Sequence, residues 1–191
     1  MGNKYATLAY AIAITAVMSA PALADSHEAR IQEYVDSNIR GWLMSDEIIN
    51  AVDQQNIDNF GLTAADIDNL DQRWRQEKIR GHGSLISSKM NNDLSSFLRG
   101  IKAASGGVIT EIFVMDNHGL NVGQTDGTGD YMQGDEAKWK ETYPVSAMAV
   151  FIDAVEEDGG KNVSQTSLTV ARDNGARLGA VTIGINVDAL Q

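Results

Sequence analysis

At Ser105-Gly106-Gly107 the hydrophobic period of this chain changes from helical to strand-like. Before that point apolar residues recur every three or four positions; after it they alternate. One chain of 191 residues that runs helices first and strands second must bury two kinds of surface against each other, which predicts an α+β domain.

The helical half divides into three stretches. From about Ser26 to Asn56, Ile31, Tyr34, Val35, Ile39, Trp42, Leu43, Ile49 and Val52 form one stripe of a long amphipathic helix, with a bend expected at Gly41. Thr63 with Asp66 three residues on is a capping-box-like start, Ile67, Leu70 and Trp74 share a face, and Gly81-His82-Gly83 ends that helix. Ile86, Met90, Leu94, Phe97, Leu98 and Ile101 mark a third, restarted near Asn91-Asn92-Asp93. The strand half reads as Val108 to Met115, Leu120 to Gln124, Ala147 to Glu156, Asn162 to Arg172 and Arg177 to Val187. Asp158-Gly159-Gly160 and Asp173-Asn174-Gly175 are turn sequences, so consecutive strands pair antiparallel. In the last strand Val181, Ile183, Ile185 and Val187 point one way. The small row Ala180, Thr182, Gly184 and Asn186 points the other, where a helix or ligand can approach closely.

The first 24 residues read as a signal peptide: Lys4, an apolar run from Tyr5 to Ala20, and Ala22-Leu23-Ala24 as a processing site. An uncleaved anchor is the competing reading, since the run is slightly short of a spanning helix. Residues 25–191 then form one exported domain, periplasmic or secreted. The 15 Lys and Arg, one of them Lys4, face 26 Asp and Glu, so the net charge is −11, or −12 without the leader. Such a surface repels phosphate backbones, which disfavours nucleic acid as a partner. There is no cysteine, which removes disulfides, thiolate zinc sites and cysteine nucleophiles.

Between the first two strands and the third lies the segment richest in chemistry. Asp116-Asn117-His118-Gly119 turns the hairpin, a Gly, Asp and Thr loop follows, and a short helix is expected to carry Tyr131, Gln133, Asp135 and Trp139 as a lid. The motifs Asp116-x-x-Gly119, Asp130-Tyr131, Gln133-Gly134-Asp135-Glu136 and Trp139, with Leu178-Gly179-Ala180-Val181-Thr182-Ile183-Gly184-Ile185, resemble the Cache family of extracytoplasmic, PAS-like sensor domains in its single-module form. The resemblance covers most of the chain beyond the leader. It implies long N-terminal helices packed on a five-stranded antiparallel PAS-like sheet, whose concave face and lid enclose a small metabolite: an amino acid, carboxylate or amine. It also implies output to a membrane-bound sensor kinase or chemoreceptor. The chain departs at Met132, where a second large aromatic is expected.

Asp130 and Asp135 are placed to accept hydrogen bonds from an ammonium or amide, and Tyr131 and Trp139 to wall a ligand's apolar part. In a helical lid Asp135 and Trp139 share one face. The structural alternative has Trp139 filling the core and the carboxylates capping the helix. Gln165, Ser167 and Thr169 make one face of the fourth strand polar, as either a pocket wall or a solvated face would. Asp153, in an apolar run, needs a partner or water. Arg73, in the basic run Arg73, Arg75, Lys78 and Arg80, is spaced to reach a carboxylate, although such runs are commonly a helix's solvated face.

No catalytic constellation emerges, and an enzyme is not expected. His27, His82 and His118 are scattered, and Gly81-His82-Gly83-Ser84 lacks the nucleophile spacing. Asp126-Gly127-Thr128-Gly129-Asp130 has oxygens suited to calcium, but a tight turn explains it, so neither metal nor cofactor is expected. The alternative function is a ligand-free accessory protein of a kinase or receptor. In either case the first helix offers a route to a partner or, as a homodimer, to a second copy.

Overall fold

The computed structural model describes residues 27–190, so the leader falls outside the described residues. The chain runs α1 (His27–Tyr34), a π-helical turn (Val35–Ile39), α2 (Arg40–Leu43), α3 (Asp46–Asp58), α4 (Ala64–Arg80), α5 (Ser84–Met90) and α6 (Asp93–Ala104). Then come β1 (Ile109–Met115), β2 (Asn121–Gln124), α7 (Ala137–Lys140), β3 (Val150–Asp158), β4 (Lys161–Ala171), β5 (Arg177–Asn186) and a 3-10 turn (Val187–Ala189). The five strands form one antiparallel sheet in the order β2-β1-β5-β4-β3. This is the expected α+β architecture, N-terminal helices packed on one five-stranded antiparallel sheet.

The single first helix read from the sequence is in fact broken. Ile31, Val35, Ile39 and Leu43 are all buried at strict spacings of four. Steps of four outrun a 3.6-residue turn by about 40° each, and the wide π turn absorbs the excess, keeping the stripe on the sheet. The bend sits at Ser45, not Gly41: Ser45 is extended at φ −67 and ψ 151, and Asp46 and Glu47 follow in the first turn of α3, where negative charge suits the helix dipole. Ile31, Val35, Ile39, Leu43, Ile49 and Val52 of the stripe are buried in the core, and Tyr34 and Trp42 pack half-buried at its edge. Thr63 and Asp66 do form the reciprocal capping box, and Gly81 closes α4 in the left-handed conformation.

The two faces of the sheet have different occupants. Ile112, Val114, Leu168, Val170, Val181, Ile183 and Ile185 pack under α1, α3 and α6 in the main core. Gly123 lets α6 approach, since a Cβ there would lie 2.9 Å from Leu94. The opposite face presents Phe113, Met115 and Ala180 to Trp139 and Tyr143. No helix among the described residues is long and apolar enough to cross a membrane.

Candidate functional site

The hairpin turn is organised by Asp116, which is fully buried. Its Oδ1 accepts from the backbone N–H groups of His118 and Leu120 at 2.8 and 2.9 Å. Its Oδ2 accepts from the Gln55 and Asn59 side chains of α3 and its end, at 2.9 and 2.7 Å. One carboxylate thus shapes the β1–β2 turn and fastens it to the helical layer.

Beyond β2 the chain becomes a strap, not the expected lid helix. Only Ala137–Lys140 is helical. The reason lies in where the backbone groups go. Asp71 Oδ1 on α4 accepts from Tyr131 N and Met132 N, Gly119 O accepts from Gln133 N, and Tyr131 O accepts from Asn121 N. With those groups taken by distant partners, and Leu120 bridged to Met132, residues 130–133 form no i→i+4 ladder.

That geometry separates the residues expected to share a site. Tyr131 turns toward α4, 3 % exposed, and stacks on Trp74 at 5.5 Å and 25°. Burial and the nearby Asp116 charge raise the pKa of its phenol. Trp139 lies over the other face of the sheet, tilted against Tyr143 at 5.2 Å, its indole N–H donating to Asp116 O at 3.2 Å. The two aromatics therefore wall different volumes, and Asp135 does not share a helix face with Trp139. Gln133 is buried and donates to the Asp130 carbonyl at 2.9 Å. Asp130 pairs with Arg75 at 3.1 Å. Asp135 is exposed beside a groove of about 290 Å³ that it shares with Asp71, Arg75 and Met132.

The basic run of α4 is only partly a solvated face. Arg75 bonds Asp71 as well as Asp130, and Lys78 Nζ donates to the carbonyls of Gly127 and Thr128, so both clamp the strap. Trp74 adds its indole N–H to Thr128 O at 3.2 Å. Arg73 is engaged elsewhere: it donates to Glu77 and Ser84, bracing the α4–α5 turn away from the strap. Asp126 pairs with Lys102 at 2.6 Å, so the two carboxylates of the glycine-rich loop each meet a cation instead of one another.

Asp153 and Gln165 do meet, on a shallow groove of about 200 Å³ at the β3–β4 side, with Glu111, Glu156 and Asp158. Gln165 donates to Glu111 at 2.8 Å, and Asp153 is exposed, its charge met by water and its own Ala154 N–H. Its place in an apolar run is explained by β3 being an edge strand.

A buried polar surface lies on the sheet face under residues 134–149. Ser167, Thr169 and Thr182 point there and are buried. Ser167 and Thr182 bond each other at 2.9 Å, and Thr169 donates to Ser146 O at 2.7 Å. Above them Trp139 and Tyr143 pack directly on Phe113, Met115 and Ala180, and Lys138 Nζ stands 5.4 Å over the Phe113 ring. This roof is closed by the protein's own side chains. Tyr143 and Asp71 carry no sequence signal for these roles; both act through contacts remote in the chain.

No family model matches the chain, and no curated protein matches it. Solved structures do. The sensor domain of the Vibrio cholerae (V. cholerae) histidine kinase DctB is 13 % identical with TM-score 0.47 over 87 % of this chain and 54 % of that one. The E. coli DcuS sensor domain is 11 % identical with TM-score 0.48, covering 86 % of this chain and 93 % of that one. The ligand-binding domain of the Campylobacter jejuni chemoreceptor Tlp3, in complex with 4-methylisoleucine, is 12 % identical with TM-score 0.41, covering 86 % and 62 %. The chain thus spans about half the DctB chain and nearly all of the DcuS one.

Proposed function

We propose that this chain is a non-enzymatic small-molecule sensor module, that its ligand seat is the hydroxyl-bearing sheet face under residues 134–149, and that the roof packed on that face is its closed form. One observation carries the reading. Side chains buried beneath a cover are apolar by default, yet the centre of this floor is Ser167, Thr169 and Thr182, all under 5 % exposed. Their hydroxyls are satisfied by one another and by the Ser146 carbonyl, and those bonds can be exchanged for a ligand's polar groups when the roof lifts.

The roof is built to be movable. α7 is four residues long, and the roof's hydrogen bonds to the hairpin and sheet are Trp139 to Asp116 O, Arg177 to Tyr143 O at 2.9 Å, and Thr169 to Ser146 O at 2.7 Å and Ala149 O at 3.3 Å. A ligand that binds only the open form shifts the equilibrium toward it, and Trp139 and Tyr143 leave the floor. The changed roof, with Val145 and Met148 already exposed at its end, is the surface that a partner kinase or chemoreceptor would read.

The direct packing of roof on floor, with Ile57 and Phe60 exposed at the α3–α4 turn, also favours the ligand-free interaction reading. Thermal-shift measurements against amino acids, monocarboxylates, dicarboxylates and amines separate the two. The sensor reading expects at least one compound to raise the melting temperature. Thr182→Val, which keeps shape and removes a hydroxyl, should fold normally and lose that rise. A flat response across the panel, or an unchanged response in the variant, rejects the proposed seat.

Tyr131 supplies a pH test of the strap. Its phenol titrates higher in the folded chain than its unfolded value of about 10. The folded state then holds more protons above that pH, so this contribution is intact below about pH 10 and is lost as pH rises further. In urea unfolding, Tyr131→Phe is expected to match the parent at pH 8 and to lose less stability than the parent at pH 10.5. Parallel losses would mean that the ring is not held as described.

A further inference from the structure

We propose a second ligand site, on the helical side of the molecule, in which Lys89 receives the carboxylate of a small monocarboxylic acid whose apolar body lies in the cleft between α3, α5 and α6. The cleft measures about 520 Å³, and its apolar wall includes Leu70, Leu85, Leu94, Val122 and Tyr131.

Lys89 is the cation among its lining residues. The ammonium is drawn in, not projected into water. Its Nζ donates to Gln55 Oε1 at 2.6 Å and stands 5.9 Å from the centre of the Tyr131 ring. Gln55 is itself immobilised, because its amide N–H groups donate to Asp116 Oδ2 and to the carbonyls of Leu120 and Asn121. The lysine head is therefore aimed by a rigid acceptor that neutralises none of its charge. No carboxylate among the described residues forms an ion pair with it, although seven other basic residues have one. Burial lowers its pKa, and the more distant Asp116 and Asp58 only partly oppose that. A partly desolvated ammonium with unused N–H donors is completed by an anion.

The lining also sets the charge of the guest. Asp58 and Asp93 line the same cleft, so a second negative group on the ligand would meet one of them. One carboxylate on an aliphatic or aromatic body fits; a dicarboxylate does not. The site differs from the proposed seat under the roof, since the sheet lies between them. Tyr131 belongs to the strap as well as the cleft wall, so an occupant here would bear on the segment that leads to the roof.

Hexanoate and phenylacetate, with glutarate and hexylamine as controls, are titrated into the folded chain and followed by amide chemical shifts. The expected result is saturable shifts at Gln55, Leu85, Lys89, Val122 and Tyr131 with the monocarboxylates and weaker ones with both controls. Lys89→Met should weaken binding by about tenfold or more, the loss expected for one charge-assisted bond. Leu70→Trp, which fills the cleft and keeps the lysine, should do the same, whereas Thr182→Val should leave it unchanged. The site is refuted if neither acid shifts these amides, if Lys89→Met binds as the parent does, or if the shifts fall instead on Phe113, Trp139 and Thr182. Binding only by peptides with a free C-terminal carboxylate also refutes it, in favour of a protein partner.

Discussion

Asp116→Asn is expected to lower the unfolding free energy by about 3–5 kcal/mol, a large share of what a domain of this size possesses. The substitution changes one atom, so the cost comes from hydrogen-bond sense, not volume. The new Oδ1 can still accept from His118 N and Leu120 N. The new amide nitrogen, however, faces the Gln55 and Asn59 amide nitrogens, donor against donor, at sites where a carboxylate now accepts at 2.9 and 2.7 Å. Two charge-assisted bonds are lost in a place that water does not reach. Urea unfolding should show a lower midpoint with an unchanged slope. A second consequence distinguishes this hub from a generic core residue. Gln55, released from Asp116, no longer holds its carbonyl toward Lys89, so amides of α5 near Lys89 should exchange faster even where the hairpin stays folded. A loss below about 1 kcal/mol would show that the turn does not depend on this carboxylate.

The same residue shows what the sequence could and could not disclose. Asp116-x-x-Gly119 is readable as a turn, because a carboxylate bonding its own backbone two and four residues on is local chemistry. The strands were legible for the same kind of reason: alternation and two Gly-containing turns lie within each strand's own neighbourhood, and the five expected strands lie close to those observed. The reading fails where a partner is remote. Residues 131–136 have helix-compatible spacing, but Asp71, about sixty positions earlier, takes the N–H groups of Tyr131 and Met132 and keeps them out of a helix. That single remote carboxylate undoes the shared face of Asp135 and Trp139 and sends Tyr131 to the helical side. Arg75 and Lys78 look like solvated charge until the strap's carboxylate and carbonyls arrive beside them. Arg73, one position from Trp74, meets only its own helix and the next. The π turn leaves a faint trace, four apolar residues at strict spacings of four, which an ideal helix could not keep on one side.

Gly119→Ala is expected to be strongly disruptive and to act on the roof. Gly119 has φ +79, a conformation that already costs an L-residue about 1–2 kcal/mol. The greater obstacle is steric. A Cβ there would lie 2.3 Å from Gly134 Cα and 2.4 Å from Gly134 N. Both are backbone atoms, with no flexible side-chain end to swing aside, so hairpin and strap must part. Parting breaks the Gln133 N–H to Gly119 O bond of 2.8 Å and the Leu120–Met132 bridge, which together fix where residues 134–149 begin. A total loss of about 3 kcal/mol or more is expected, with Gly127→Ala as the control, since a Cβ at Gly127 meets nothing within 4 Å. Hydrogen exchange then reads the functional part. Amides of Gly134 to Tyr143 should lose protection in Gly119→Ala while β5, paired on both sides, keeps its own. If roof closure is what a ligand must overcome, a chain with a loosened roof pays less of that cost, because apparent affinity scales with the population of the open form. Any compound that raises the parent's melting temperature through the sheet-face seat should therefore bind Gly119→Ala more tightly at a temperature where both are folded. Weaker binding would mean that the roof supplies contacts to the ligand instead of standing in its way.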